Sequence, residues 1–194
     1  MAVMRVITLG IPLNQNTSTI NKIMIQNCVV VESRWRSQSV NVQHARESVR
    51  EVLRTVSDPE EAGLIELAVG EACANAVEHG SPAGERNEFV LRCRLVPPCM
   101  PEHPKNGSAL QLVLEVEDEG RNTEPSDIPL NGTPDLLAER GRGLFMICQI
   151  MDDVSVCRSL RGVTLRMTKD LPASRFLTLT GLARGAKAEC ACSF

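Results

Sequence analysis

The chain has no tyrosine, one tryptophan and four phenylalanines among its 194 residues. So little aromatic surface argues against a platform on which nucleic-acid bases stack. A basic excess is missing too: 21 Lys and Arg stand against 24 Asp and Glu, a formal net charge of −3. The electrostatic footprint of a nucleic-acid-binding protein is therefore absent, and no direct nucleic-acid partner is expected. No apolar run is long enough to span a bilayer, so no membrane partner is expected either. The apolar patch from Val3 to Leu13, interrupted by Arg5, lacks the basic flank and cleavage site of a secretory signal. A cytoplasmic location follows by default. Eight cysteines are present without a C-x-x-C pair, which removes zinc-ribbon and thioredoxin readings. Most are expected to be buried small hydrophobes in a reducing compartment, and the C-x-C of Cys190 and Cys192 is read as part of an exposed tail. Neither G-x-G-x-x-G after a strand nor G-x-x-x-x-G-K-[ST] occurs, so the Rossmann and P-loop nucleotide sites are excluded.

The length suits one domain with a proper core. Residues 1–27 read as a flexible N-terminal arm, 28–169 as the folded domain and 170–194 as a loosely attached tail. Cys28 to Trp35 reads as a strand. Asn41 to Val56 reads as a helix, with Val42, Ala45, Val49, Val52, Leu53 and Val56 at helical spacing. Asp58 is a candidate N-cap and Pro59 the first residue of a second helix reaching His79, with Gly80 at its C′ position. Glu88–Val96 and Leu110–Glu117 alternate as strands, separated by a Pro-rich loop. A long polar loop covers 121–140, followed by a helix over 143–151. Residues 154–158 and 163–167 pair as a hairpin around Ser159–Gly162. Strands that are not each followed by a helix predict an α+β fold: a two-layer α/β sandwich whose mixed, mostly antiparallel sheet is covered on one face by helices.

Three stretches carry candidate chemistry. Glu71 and Asn75 lie four apart and so share a helix face, which continues back through Leu64, Leu67 and Ala68. Polar groups on a core-facing stripe are costly unless paired or used. A carboxamide oxygen suits magnesium, which keeps waters and uses few protein ligands, and a carboxylate one turn away could take a proton from an attacking hydroxyl. The plain alternative is two polar residues on partly exposed helix turns. Asp118-Glu119-Gly120 ends a strand: a carboxylate there can accept from a base amino group and a glycine lets a flat ring approach, or the stretch is a simple turn. Gly141-Arg142-Gly143-Leu144 opens a helix whose N-terminus favours phosphate, or it is a hinge.

The order E-x-x-x-N, D-x-G, G-x-G-L, each in fitting context, resembles the GHKL ATPase superfamily (the Bergerat fold) over residues 30–169. Glu139 to Ile147, Met151-Asp152-Asp153-Val154 and Gly162 to Lys169 look most like the anti-sigma-factor serine kinases of that superfamily. The resemblance implies ATP and Mg2+ as ligands. Asn75 would hold magnesium, Glu71 would be the catalytic base, and Asp118 would bind the adenine amino group with Gly120 beneath the ring. Gly141 and Gly143 would shape a lid over the phosphates, with Arg142 assisting and Leu144 completing the motif. It also implies a protein-serine kinase that phosphorylates a small anti-sigma-factor antagonist, holds a sigma factor inactive and pairs as a homodimer. One departure is Asn122, where the family often has a second glycine; it keeps open a non-catalytic, ATP-gated binding module. A histidine kinase is disfavoured because His44 lies on a single helix, not on a dimerisation hairpin.

Two further features have double readings. His79 faces phosphates or, as the helix dipole favours, caps the second helix. Arg46, Arg50 and Arg54 form a basic stripe that is either a solvated face or a docking surface for an acidic partner, centred on Arg46 and Arg50.

Overall fold

The computed structural model describes residues 3–6, 30–96, 110–120 and 142–172. In chain order these form β1 (Val3–Val6), β2 (Val30–Arg36), α1 (Ser39–Val56), α2 (Pro59–Glu78), β3 (Glu88–Val96), β4 (Leu110–Glu117), α3 (Arg142–Ile150), β5 (Asp153–Arg158) and β6 (Val163–Leu171). The strands make one sheet in the order β1-β2-β3-β4-β6-β5. All five pairings are antiparallel, so the parallel component of the expected mixed sheet does not occur among the described residues. Val3–Val6, placed by the sequence within the arm, pairs along β2 as an edge strand. The rest of the arm, Cys28, the Pro-rich loop, Asn122 and most of the tail lie outside the described residues.

Strand alternation decides which face meets the helices. Val31, Cys93, Leu114, Met167 and Val154 sit opposite one another across five strands, and all five join the hydrophobic core or pack against it. One residue along, Glu32, Arg92, Glu115, Arg166 and Ser155 make the equivalent row on the other face. The charges there alternate in sign and pair: Arg92 donates to Glu32 at 2.9 Å and Glu117 at 2.8 Å, while Arg94 and Arg166 both reach Glu115. Opposite charges facing across strands support the register.

Helix α1 turns Ala45, Val49, Leu53 and Val56 into the core. In α2, Asp58 accepts from the Glu61 N–H as N-cap, with Pro59 at the first position. Its buried residues are mostly small: Ala62, Ala68, Gly70, Ala72, Cys73 and Ala76. That lets α2 lie close between α1 and α3 and on β3 and β4. The stripe behind Glu71 is not the core face the sequence implied: Ala68 is buried, but Leu64 is 48% and Leu67 37% exposed. The core is met by Ile65, Val69, Ala72 and Ala76 instead, which leaves Glu71 at the rim of the helical layer. Of the four described cysteines, Cys73 and Cys93 are buried thiols pushed up to about 12 by burial, whereas Cys148 is half-buried and Cys157 exposed. No helix among the described residues is long and apolar enough to cross a membrane.

Candidate functional site

Asp118 follows the last residue of β4 and extends its pairing with β6, its N–H donating to the Val163 carbonyl at 2.9 Å. Its carboxylate is held from one side. Oδ1 accepts from the Gly120 N–H at 2.8 Å and the Val163 N–H at 3.2 Å. Oδ2 takes no hydrogen bond among the described residues and lies against Gly80, the second residue past α2, where any added methyl would overlap it. Burial pushes the Asp118 carboxyl above its ordinary range; the two N–H groups oppose this, and the Glu117 and Glu119 charges add to it. A half-buried carboxylate with one oxygen saturated and the other uncommitted is a directional acceptor for one N–H donor.

The requirement for glycine at position 80 therefore differs from that of the usual C′ residue. The φ of Gly80 is not positive, Gly84 being the positive-φ glycine here. Its missing side chain makes room for Asp118 and for Gly120, whose own Cβ would sit 3.2 Å from Gly80 Cα and 3.1 Å from Asp118 Oδ1. Thus Gly120 is buried against protein in this structure. His79 is the exposed C-cap, its N–H donating to the Asn75 carbonyl at 2.8 Å.

Glu71 and Asn75 are half-buried on the last turns of α2. Neither side chain has a hydrogen bond or ion pair among the described residues. The Glu71 carboxylate reaches the first turn of α3: a methyl added at Gly143 would lie 2.5 Å from its Oε2. The first N–H groups of a helix have no intrahelical acceptor and attract anions. The Glu71 carboxylate and the start of α3 thus meet at one end of the site, the Asn75 carboxamide lies one turn further along α2, and the Asp118–Gly80 contact lies at the other end. Glu71 and Gly80 are nine positions apart, about 13 Å of helix, so a ligand engaging both ends must be elongated and lie along α2. No cluster of three or more His, Cys, Asp or Glu side chains that could hold a metal occurs among the described residues. The donor set at Asn75 fits only an ion that keeps water and ligand oxygens, as magnesium does.

The other sequence candidates fall as follows. Arg142 is exposed at the start of α3. Leu144 is half-buried and packs against the hydrophobic core, which anchors the first turn of α3. Gly141 lies outside the described residues. Arg46 and Arg50 do not form an open basic surface. Arg50 makes a two-pronged pair with Glu66 of α2, at 3.0–3.1 Å. The Arg46 stem crosses α2 at Gly70, where a Cβ would be 3.0 Å from its Cδ. Both belong to the α1–α2 seam, which opposite charge and a missing side chain create; they are half-buried, and Arg54 is exposed. His44 stacks on Trp35 with ring centroids 5.8 Å apart.

Gly80, Glu119, Arg161, Gly162 and Val163 surround Asp118 and were given no role at the site by the sequence alone. Gly162 presses flat on the acceptor segment: a Cβ there would lie 2.6 Å from the Asp118 carbonyl oxygen, 2.7 Å from the Gly120 nitrogen and 2.8 Å from the Glu119 carbonyl carbon. These are backbone atoms and cannot swing aside. Gly162→Ala is expected to cost about 1–3 kcal/mol as overpacking. Thermal unfolding should show a Tm several degrees lower, and an unchanged Tm would refute this account of the contact. The signal available in the sequence was a glycine closing a four-residue hairpin loop; what it packs on was not.

The Histidine kinase-like ATPase domain family matches residues 36–169, more than half of the chain. Serine-protein kinase RsbW of Bacillus pumilus (strain SAFR-032) is 34% identical over 119 residues, covering 60% of this chain and 69% of that protein. Serine-protein kinase RsbW of Bacillus subtilis (strain 168) is 32% identical over 112 residues, covering 57% and 66%. The chain thus spans about two thirds of the length of these relatives. The matched region holds α2, Asp118 and α3 on one antiparallel sheet, and the chain belongs to the histidine kinase-like ATPase family.

Proposed function

We propose that this protein is an ATP-dependent protein-serine kinase that acts as an anti-sigma factor, phosphorylating a small antagonist protein and sequestering a sigma factor, as a cytoplasmic homodimer. The observation that carries this reading is Glu71: a carboxylate held against Gly143 at the start of α3 and one turn from the carboxamide of Asn75, both side chains uncommitted among the described residues. The similarity to serine-protein kinases supports the class of reaction.

In this reading ATP lies along α2. Asp118 Oδ2 accepts from the adenine amino group, and Gly80 and Gly120 leave the space for the acceptor to sit in place. The N–H groups opening α3 face the phosphate end. The Asn75 carboxamide oxygen would hold Mg2+, which supplies positive charge against the phosphates. Glu71 accepts the proton of the acceptor serine as its oxygen bonds to the γ-phosphorus and the bond to the bridging oxygen breaks, releasing ADP. Asn75→Ala is expected to weaken nucleotide binding about tenfold or more with magnesium present and little in its absence. Calorimetric titration of ATP in both conditions measures this, and an unchanged magnesium-dependent affinity would remove Asn75 from the metal site.

A further inference from the structure

We propose that Glu119 and Arg161 act as a positioning pair for the adenine acceptor, setting the orientation of Asp118 and with it the choice of base; this rests on the nucleotide-binding reading above. Glu119 follows Asp118 directly, and its carboxylate and main-chain N–H together gather three segments. Oε1 accepts from Arg161 Nη2 of the β5–β6 hairpin at 2.6 Å. Oε2 accepts from Asn87 Nδ2, ahead of β3, and from the Glu88 N–H at 3.4 Å. Its main-chain N–H donates to the Gly80 carbonyl at 3.2 Å. Glu119 thereby ties the segment after α2, the start of β3 and the β5–β6 hairpin to the residue next to Asp118.

Arg161 is the part of this clasp that reaches from the hairpin. The apolar side chain at that tip, Leu160, is fully exposed. The turn is stiffened internally, since Ser159 Oγ accepts from the Arg161 and Gly162 N–H groups, each at 3.1 Å. A pull on Arg161 is therefore passed to Gly162, which lies on the backbone of 118–120, and to Val163, whose N–H and carbonyl hold Asp118. Arg161 also approaches Glu88 at 3.8 Å, while its Nη1 is buried without a hydrogen-bond partner among the described residues. A buried donor left unpaired is unusual; here the guanidinium is held by its Nη2 contact to Glu119.

The test is calorimetric titration of the full chain with ATP, ADP and inosine triphosphate, whose 6-oxo group replaces the amino donor, alongside thermal unfolding. Arg161→Ala is expected to weaken ATP and ADP about tenfold and to lower the ATP-over-inosine-triphosphate preference by a similar factor. Arg161→Lys should recover most of both. Glu119→Gln should resemble Arg161→Ala, and the double variant should be no worse than Arg161→Ala alone, as expected of one shared contact. In phosphoryl transfer, KM for ATP should rise with kcat unchanged. Wild-type affinity and preference in folded variants would overturn the pair, as would equal loss of ATP and inosine triphosphate with the preference between them intact, which is the mark of a merely structural role. Failure of the wild-type protein itself to bind ATP would instead overturn the nucleotide reading, and this inference with it.

Discussion

Replacing Asp118 by Asn is expected to weaken ATP binding about 100-fold and to turn the base preference toward a 6-oxo purine. The reason is the one-sided hold on the carboxylate. Oδ1 is engaged by the N–H groups of Gly120 and Val163, so the oxygen of an Asn amide takes that position and its NH2 group replaces Oδ2. A donor would then face the adenine amino donor, and neither could be satisfied. Unpaired groups in a desolvated site cost about 1–3 kcal/mol each, and 100-fold in affinity is about 2.7 kcal/mol. Inosine triphosphate presents an oxygen at that point and should gain where ATP loses. Competitive titration of both nucleotides against both proteins measures the switch. An Asp118→Asn variant that binds ATP like the parent would show that Asp118 does not read the base.

The same geometry gives a pH dependence with a definite sign. Burial, opposed by its two N–H contacts and reinforced by the Glu117 and Glu119 charges, raises the Asp118 carboxyl above 3.8. A proton taken up in the folded protein goes to Oδ2, because Oδ1 already accepts two hydrogen bonds. ATP affinity should therefore begin to fall, on acidification, at higher pH than for a free aspartate, and Asp118→Asn should flatten that dependence. Stability runs the other way for Glu117 and Glu119. Burial alone would raise both carboxyls, but the hydrogen bonds of Ser159 and Arg92 to Glu117, and of Asn87 and Arg161 to Glu119, outweigh it and lower them below 4.5. Their contribution is present above 4.5 and is lost as pH falls through the lowered values.

The second large effect is at Glu71. Glu71→Gln keeps the size and shape of a side chain that lies against Gly143, so ATP binding and Tm should change little. It removes the proton acceptor, and general-base catalysis is typically worth about 10²–10⁴-fold. Phosphoryl transfer to the antagonist should fall by that order in kcat with KM for ATP nearly unchanged. Single-turnover transfer from γ-labelled ATP separates the two parameters. Undiminished transfer would exclude Glu71 as the base; parallel loss of binding and transfer would place it in nucleotide binding instead. If ATP binds but the parent protein transfers phosphate to no antagonist, the non-catalytic gated module is the better description.

The linear pattern of side chains sufficed for much of this. Helical spacing from Val42 to Val56, the Asp58-Pro59 start of α2, and alternation in β3 and β4 are local properties of consecutive residues, and the backbone follows them. The three motifs were also visible in order, because each sits at the end of an element whose type the local pattern specifies. Contacts between segments distant in the chain were not legible in that way. Leu64 and Leu67 share the Glu71 face by spacing alone, yet they are exposed, because the packing of α1 and α3 selects a different stripe of an α2 that is apolar on several sides. Arg46 and Arg50 look like a free basic surface until Gly70 and Glu66, about twenty residues later, are brought against them. Gly80 reads as a helix terminator, but its requirement comes from Asp118, 38 positions away. The tie of Arg161 to Glu119 likewise exists only once the β5–β6 hairpin is folded beside β4. Periodicity and capping act over one or two turns of chain; the acceptor oxygen of Asp118 is aimed by segments that meet only in three dimensions.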